Sequence, residues 1–377
     1  MEFPLRCIVE TMENPPAFSP FIETLAFELL PIAGKPLLDL FLSSLEAAGF
    51  EEIMILVDPT DPSFSSFIKE RESEAIIELV DPDSNQNSHE SVFRFYGQQY
   101  LEPRNVIRFV KFVEEHKDNL CVIPVPEQEL LELAAGQPSK PVSMAYFPAG
   151  IPPVLPTDLS TPEFRFFCPP STPGISLKWP WDLLRLHSML IDEIVPAMKG
   201  IIQQGATIID PVLIETGATI RAGAYVEGPV VIGQDCVVGP NCFLRPGTCL
   251  GKSVRIGNAV EIKNTIVMDN TNIGHLAYIG DSIIGPNCNF GAGTKIANLR
   301  LDNGNFQQKV GEEVIDTGLR KLGVFVGENV KTGINCSLMG GTSIGPGAEI
   351  GPGAVIYRNI DAHTRVLLRQ QTDIANK

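Results

Sequence analysis

From Ile208 to Met268 an aliphatic side chain, with a methionine closing the series, stands on every sixth residue. The run is Ile208, Ile214, Ile220, Val226, Ile232, Val238, Leu244, Leu250, Ile256, Ile262 and Met268. The phase slips by one residue near Ile273 and Ile279, resumes through Ile284, Phe290 and Ile296, and returns at Val326, Leu338, Ile344, Ile350 and Ile356. Glycine often follows directly, as at Gly233, Gly251, Gly257 and Gly345. A period of six fits neither a helix nor a plain alternating strand. It predicts a parallel β-helix of hexapeptide repeats, each a short strand plus a corner, with the aliphatic residue pointing into a three-sided prism. No single repeat buries its apolar face alone, so stability comes from stacking many of them. Cys236, Cys242, Cys288 and Cys336 each fall four residues after an in-phase position, an inward site for a small residue, and are expected in the core.

The chain before the repeats reads differently. Leu5–Val9 is an expected strand, Leu37–Ala48 an amphipathic helix stopped by Gly49, and Ile53–Val57 the next strand, which together make a strand, helix, strand unit. Val106–Glu115 reads as a helix and Leu120–Val125 as a strand. The polar run from Asp81 to Glu90 reads as a loop. From Gly136 to Pro180, proline, serine and threonine crowd the chain and predict an irregular connection. Trp181–Ile194 is again helical. The expected division is an α/β domain at 1–180, a helical linker at 181–200 and a repeat domain at 201–377. The repeat is lost between Leu299 and Leu322, and Asp302-Asn303-Gly304 there suggests a hairpin turn. Insertions of this kind emerge on one face of a solenoid, often the binding face. Arg300, Lys309, Arg320 and Lys321 make it a candidate phosphate contact or an ordinary solvated loop.

Charge sharpens the division. The net charge is −16, but residues 201–377 hold 15 acidic and 15 basic side chains of the total 45 and 29, leaving 30 against 14 in the first 200. An acidic half repels nucleic acid and anionic membrane, so neither is an expected partner. An anionic small molecule is expected on the neutral, repeat-bearing half. With no apolar run long enough to span a bilayer and no signal-peptide pattern at the start, the expected location is cytoplasmic.

Candidate chemistry gathers where the repeat slips. His275, in IGHLAYIGD, is the one histidine within the regular repeats, and an imidazole is the natural general base for an amine near neutral pH. Arg245 in FLRPG and Lys263 in VEIKN are eighteen residues apart, one coil of three strands, so they are expected to stack as a seat for a phosphate. Tyr278 lies close by. Gly291, Ala292 and Gly293, in NFGAGTKIANLR, offer backbone amides for a thioester oxygen or a pantetheine amide. Against these readings stand a surface histidine and a ladder of exposed charges.

Taken together, FLRPG, IGNAVEIKN, GHLAYIGD, NFGAGTKIANLR, the RKLG closing the insertion and VKTGIN resemble the acetyltransferase half of GlmU, the bifunctional enzyme family of UDP-N-acetylglucosamine synthesis, and still more its archaeal relatives. PWDLL at 180–184 resembles the linking segment of the archaeal type. The resemblance implies a left-handed β-helix, a homotrimer with sites between neighbouring prisms, and acetyl-CoA as co-substrate with no metal required. The acceptor it implies is an amino-sugar phosphate, with glucosamine 1-phosphate foremost. It implies Arg245 and Lys263 on the sugar phosphate, His275 as general base, and Tyr278 and Asn289 on the sugar. Ala292, Asn298 and Arg369 would contact the coenzyme. A serine that the family places near the coenzyme is Ile334 here.

The first half resembles the family's nucleotidyltransferase domain more loosely, through PIAGKPLLDLFLSSLEAAGFEEIMILV at 31–57, in which Lys35 matches the family's lysine. A glycine-rich phosphate loop belongs before that segment, but the chain reads ETMENPPAFSPFIETLAFELL, without glycine and with three prolines. A phosphate cradle needs free amides and little side-chain bulk. Glu10, Glu13, Glu23 and Glu28 would repel a triphosphate, and Leu120–Val125 runs into Pro126 where a metal-binding aspartate is expected. The expected fold is therefore a Rossmann-like, nucleotidyltransferase-like α/β domain followed by an all-β left-handed parallel β-helix. Three functions remain open at this level: an acetyltransferase with a degenerate first domain, a bifunctional enzyme with pyrophosphorylase activity, and a non-catalytic β-helix scaffold.

Overall fold

A computed structural model describes residues 5–11, 18, 21, 26–82, 90–97, 99–124, 142–148, 164–167, 175–310 and 313–371. The chain divides into two compact units. One holds the described residues of 1–14 and 36–178, and the other those of 15–35 and 179–377. Helix Pro180–Ile191 and the stretch before Pro36 thus cluster with the repeats.

The first unit is a seven-stranded sheet in the order Phe164–Phe166, Leu120–Pro124, Val142–Phe147, Val92–Tyr96, Arg6–Glu10, Glu52–Leu56 and Ile76–Val80. All neighbours pair in parallel except Val142–Phe147, which is antiparallel to both of its own. Helices Leu37–Ala47 and Pro103–Glu115 follow from their apolar spacing, and both bury one face. The connection expected between Gly136 and Pro180 is corrected here. It contains an interior strand, Val142–Phe147, and a strand at the sheet edge, Phe164–Phe166. Both are short apolar runs whose signal the surrounding prolines drown. The Asp81–Glu90 loop reading falls mostly on residues outside those described.

The second unit is the expected prism, with three parallel sheets of eight, nine and eight strands. On the first face Ile214, Ile232, Leu250, Val267, Ile284, Val326 and Ile344 stack in register. Ile220, Val238, Ile256, Ile273 and Phe290 do so on the second. Val226, Leu244, Ile262 and Ile279 do so on the third. All of these are buried, and Cys236, Cys242, Cys288 and Cys336 lie in the same core. Burial pushes the Cys236, Cys242 and Cys288 thiols up to about 12, so they are packing groups.

The register corrects the phase at one point. Leu250 pairs with Val267, not Met268, so the six-residue step shortens between Ile262 and Val267. It shortens again between Ile279 and Ile284. Both short steps turn the chain from the third face to the first, in successive coils. The 299–322 insertion leaves from that same corner, closed by an antiparallel bridge between Leu299 and Lys321. Its hairpin strands are Gln307–Val310 and Glu313–Asp316, so the hairpin lies beyond Asp302-Asn303-Gly304. Those three residues make a separate turn with Asn303 at φ 57.

The first face is apolar on its outside as well. Val231, Cys249, Ile266, Ile283 and Phe325 form an outward row in register, and all are buried. Fully burying a large apolar side chain contributes about 1.5–3 kcal/mol, so this row is a second core. Helix Pro180–Ile191 and the stretch ending at Gly34 cover it. Phe21 meets Phe325 edge-on at 6.2 Å, and Ile191 and Ala33 pack with Val231 and Cys249. Gly34, at φ 85, approaches so closely that a Cβ there would lie 2.8 Å from Val231 Cγ1. The buried His187 locks the arrangement. Its Nδ1 accepts from the Ala33 amide at 3.1 Å, and its Nε2 lies 2.9 Å from the Gly247 carbonyl.

Candidate active site

The outward ends of the coils build two stacked corners, one at each edge of the third face. At the corner between the third and first faces, strand Phe243–Leu244 runs into Arg245, strand Glu261–Lys263 into Asn264, and strand Tyr278–Gly280 into Asp281. Arg245 and Lys263 sit one coil apart, as their spacing requires: Leu244 pairs with Ile262, and the Arg245 amide donates to the Ile262 carbonyl at 2.8 Å. Each cation has a carboxylate beside it. Arg245 Nη1 is 2.7 Å from Glu261 Oε1, and its guanidinium lies over the Phe243 ring at 5.7 Å. Lys263 Nζ is 3.7 Å from Asp281 Oδ1. The two pairs sum to zero charge.

Tyr278 joins the same cluster. Asn298 Nδ2 donates to the Tyr278 hydroxyl at 3.0 Å and to Asp281 Oδ2 at 2.5 Å. Burial pushes the Tyr278 phenol up, and the Asn298 hydrogen bond partly opposes it. Asn298, expected with the coenzyme contacts, therefore shares its amide with the residues expected on the acceptor. Sequence reasoning passed over Glu261 and Asp281. Both lie inside the segments VEIKN and GHLAYIGD, but only the coil register shows which cation each one faces.

His275 stands at the other edge of the third face. It ends strand Asn272–His275 on the second face, in register with Asn258, and its side chain is exposed. Leu276 then turns the chain at φ 53. The length of strand Tyr278–Gly280, about 10 Å at 3.3 Å per residue, lies between the His275 and Asp281 corners. Arg245 and Lys263 thus stand at one edge of the third face and His275 at the other.

What stacks on His275 is the Gly291-Ala292-Gly293 corner, since the Gly293 amide donates to the His275 carbonyl at 3.0 Å. The expectation of three bare amides there is also corrected. Gly291 donates to Thr332, and Gly293 is spent on His275. Among the described residues only the Ala292 amide of the three has no acceptor. Asn289 is exposed on the second face, between Asn272 and Lys331. Arg369 is exposed near the end of the described chain, and Ile334 is 55% exposed beyond the Ala292 corner.

The insertion does not present its cations as a set. Arg300 is bound to Asp302 at 2.6 Å, and Arg320 Nη2 to Asn303 Oδ1 at 3.2 Å. Lys321 is exposed beside the Leu299 bridge, and the Lys309 side chain lies outside the described residues. The expected phosphate-loop segment is occupied otherwise. Glu10 pairs with Arg94 at 3.2 Å, Glu28 is buried, and Phe18 and Phe27 pack edge-on at 4.7 Å. Glu13 and Glu23 fall outside the described residues. Among the described residues no helix is long and apolar enough to cross a membrane.

Residues 226–340 match the model of the GMPPB C-terminal domain, and 323–358 match the bacterial transferase hexapeptide of six repeats. The prism is accordingly a left-handed parallel β-helix of the hexapeptide class, joined to a Rossmann-like α/β unit. A protein of Methanocaldococcus jannaschii called bifunctional protein GlmU is 43% identical over 51% of this chain and 47% of its own length. One of Methanococcus maripaludis with the same name is 44% identical over 52% and 48%. A bifunctional sugar-1-phosphate nucleotidylyltransferase/acetyltransferase of Sulfurisphaera tokodaii is 43% identical over 24% of this chain and 22% of its own. The chain spans about half the length of the methanogen relatives it matches.

Proposed function

We propose that this protein is an acetyl-CoA-dependent N-acetyltransferase acting on an amino-sugar 1-phosphate, with glucosamine 1-phosphate as the acceptor, on the route to UDP-N-acetylglucosamine. The observation that carries the reading is the cluster at the corner between the third and first faces. Two cations one coil apart, each with a movable or fixed carboxylate, adjoin a phenol held by an amide. Such a pair suits a phosphate dianion, which replaces Glu261 on Arg245 and takes the outer side of Lys263. The acceptor's amine then lies toward an imidazole. His275 takes the proton as nitrogen attacks the thioester carbon, the thiolate of CoA leaves, and the Ala292 amide donates to the developing oxyanion. Acetyl-CoA supplies the acyl group. Asn289 on the sugar, Asn298 beside both substrates, and Arg369 on the coenzyme complete the assignment.

Because His275 and Lys263 stand at opposite edges of one face, about a strand's length apart, a site is completed most simply by a neighbouring prism, and a homotrimer closes such contacts cyclically. Apolar and aromatic groups exposed on this unit, Tyr225, Leu276 and Leu301 among them, suit such packing. The α/β unit keeps its sheet, the sequence from Glu10 to Leu30 has no glycine to build a phosphate cradle, and nucleotidyl transfer is absent in this reading. The test is free-thiol release from acetyl-CoA with glucosamine 1-phosphate, galactosamine 1-phosphate and UDP-glucosamine as acceptors. Release with glucosamine 1-phosphate and none with the others is expected, and no release with any acceptor overturns the reading. Pyrophosphate formation from UTP and N-acetylglucosamine 1-phosphate would restore the bifunctional alternative.

A further inference from the structure

Asp281 is an odd residue to bury. Its side chain is almost fully enclosed, at 5% exposure, on a surface corner where a solvated polar group would cost nothing. It sits at the second of the two shortened steps, at φ 52. Dropping one residue from the corner draws its backbone into the coil stack. The Asp281 amide donates to the Lys263 carbonyl at 3.0 Å, and its own carbonyl accepts from Gly323 at 2.7 Å. The main chain of Asp281 is therefore fixed from below and above, and Gly323 is needed there, since a Cβ would fall 2.1 Å from the Gly280 carbonyl oxygen.

From that position one carboxylate spans three coils. Oδ1 accepts from Asn264 Nδ2 at 2.8 Å and faces the Lys263 ammonium at 3.7 Å. Oδ2 accepts from Asn298 Nδ2 at 2.5 Å, the nitrogen that also donates to the Tyr278 hydroxyl. A buried carboxylate is retained only where donors and a cation satisfy it, and here every one of them belongs to the candidate site or adjoins it. Lysine loses much rotamer freedom on being held, so fixing it before the acceptor arrives removes that cost from binding.

Resting on the function proposed above, we propose that Asp281 is the positioning residue of the acceptor site: it holds Lys263 on the prism wall and, through Asn298, aims the Tyr278 hydroxyl. Asp281 is clamped and Glu261 is half-exposed. The two carboxylates thus divide the work, Glu261 yielding Arg245 to the phosphate while Asp281 stays.

The test compares the intact chain with Asp281→Asn, which keeps the volume but removes the charge facing Lys263 and sets an amide donor against one of the Asn264 and Asn298 donors. KM for glucosamine 1-phosphate should rise on the order of 10- to 100-fold, while KM for acetyl-CoA stays unchanged. In a Lys263→Ala background the same substitution should raise the acceptor KM by a clearly smaller factor, because the part carried through Lys263 is already lost and coupled residues are not additive. Wild-type acceptor kinetics in Asp281→Asn, or an equal loss in both backgrounds, overturns the proposal. A second arm needs neither turnover nor the variant's folding. In the asparagine-labelled wild-type protein, the side-chain amide of Asn298, identified by its loss in Asn298→Ala, should be shifted and slow to exchange as a carboxylate-bound donor. A freely exchanging Asn298 amide also overturns it. Absence of acetyl transfer in the wild type, with the Asn298 amide protected, would sink the acetyltransferase reading and leave the Asp281 clamp standing.

Discussion

The first and third faces of the prism are made of the same short strands, joined by the same parallel ladder, yet they end in opposite chemistry. On the first, the outward row Val231, Cys249, Ile266, Ile283 and Phe325 is as apolar as the inward one and lies under helix Pro180–Ile191 and a strap, the stretch ending at Gly34. On the third, the outward row reads Phe243, Glu261 and Tyr278 and is bordered by Arg245, Lys263, Asp281 and His275. The inward phase of the repeat makes a prism and nothing more. What each face does is written in the outward residues and the corners, which carry no period.

His275→Ala carries the largest expected effect on the open face. Loss of a positioned general base lowers acetyl transfer about 10²- to 10⁴-fold, with acetyl-CoA binding unchanged, as read by single-turnover kinetics and equilibrium titration. Lys263→Ala should instead raise the acceptor KM and spare kcat, because a phosphate seat binds ground and transition states alike. A fully active His275→Ala enzyme would make the imidazole a surface group and assign the proton to another base.

Phe325→Ala is the corresponding break on the covered face. The ring is buried between the strap and the coil and meets Phe21 edge-on. Its removal should cost about 3–5 kcal/mol of second-unit stability by denaturant unfolding. Michaelis constants in the folded variant should hold, since Phe325 touches none of the proposed substrate contacts. A loss below about 1 kcal/mol, the typical effect of a point mutation, would mean that the strap does not seal this face in solution.

Much of this contrast is legible in the sequence, but unevenly. The period of six locates nearly all of the inward residues, because every coil repeats the same steric demand. It misplaces Met268, since a five-residue step leaves a neighbouring apolar residue to take the inward place, and Val267-Met268 satisfies either phase. The cations and the histidine stand out as rare residue types at coil spacing. Their carboxylate partners do not, because acidic residues are common on any surface and only register pairs Asp281 with Lys263. The strap is hidden for a different reason. Phe18, Phe21 and Phe27 lie far from the repeats in the chain, and where they pack is a tertiary fact with no local signature.

Acid should loosen the covered face selectively. Burial, as the main cause, holds the His187 imidazole down to about 4 from 6.5, with the Gly247 hydrogen bond opposing. The neutral ring suits both partners, Nδ1 accepting from Ala33 and Nε2–H donating to Gly247. Between those two values the unfolded chain binds a proton that the folded chain refuses, so stability falls as pH drops from about 6.5 toward 4. The loss is about 3 kcal/mol once pH is below both values. Chemical denaturation across this range, compared with His187→Gln, should show a steeper acid slope in the wild type. Parallel slopes would remove His187 as the group responsible.

The smallest expected effect separates the insertion from the site it borders. Arg300 and Arg320 are the cations nearest to hand for a phosphate contact, but the turn at Asp302-Asn303 already uses both. The Arg300–Asp302 pair is exposed, so breaking it should leave stability essentially unchanged. Arg300→Ala and Arg320→Ala should therefore leave the acceptor KM within about twofold of wild type, as surface substitutions usually do, where Lys263→Ala does not. The comparison works because all three substitutions remove one positive charge from the same corner. A general electrostatic attraction for the phosphate would penalise them alike and would fade together with added salt. A built seat penalises only the lysine clamped by Asp281. Equal and salt-sensitive rises in KM for the three variants would show that the acceptor is drawn by the charge of the corner as a whole.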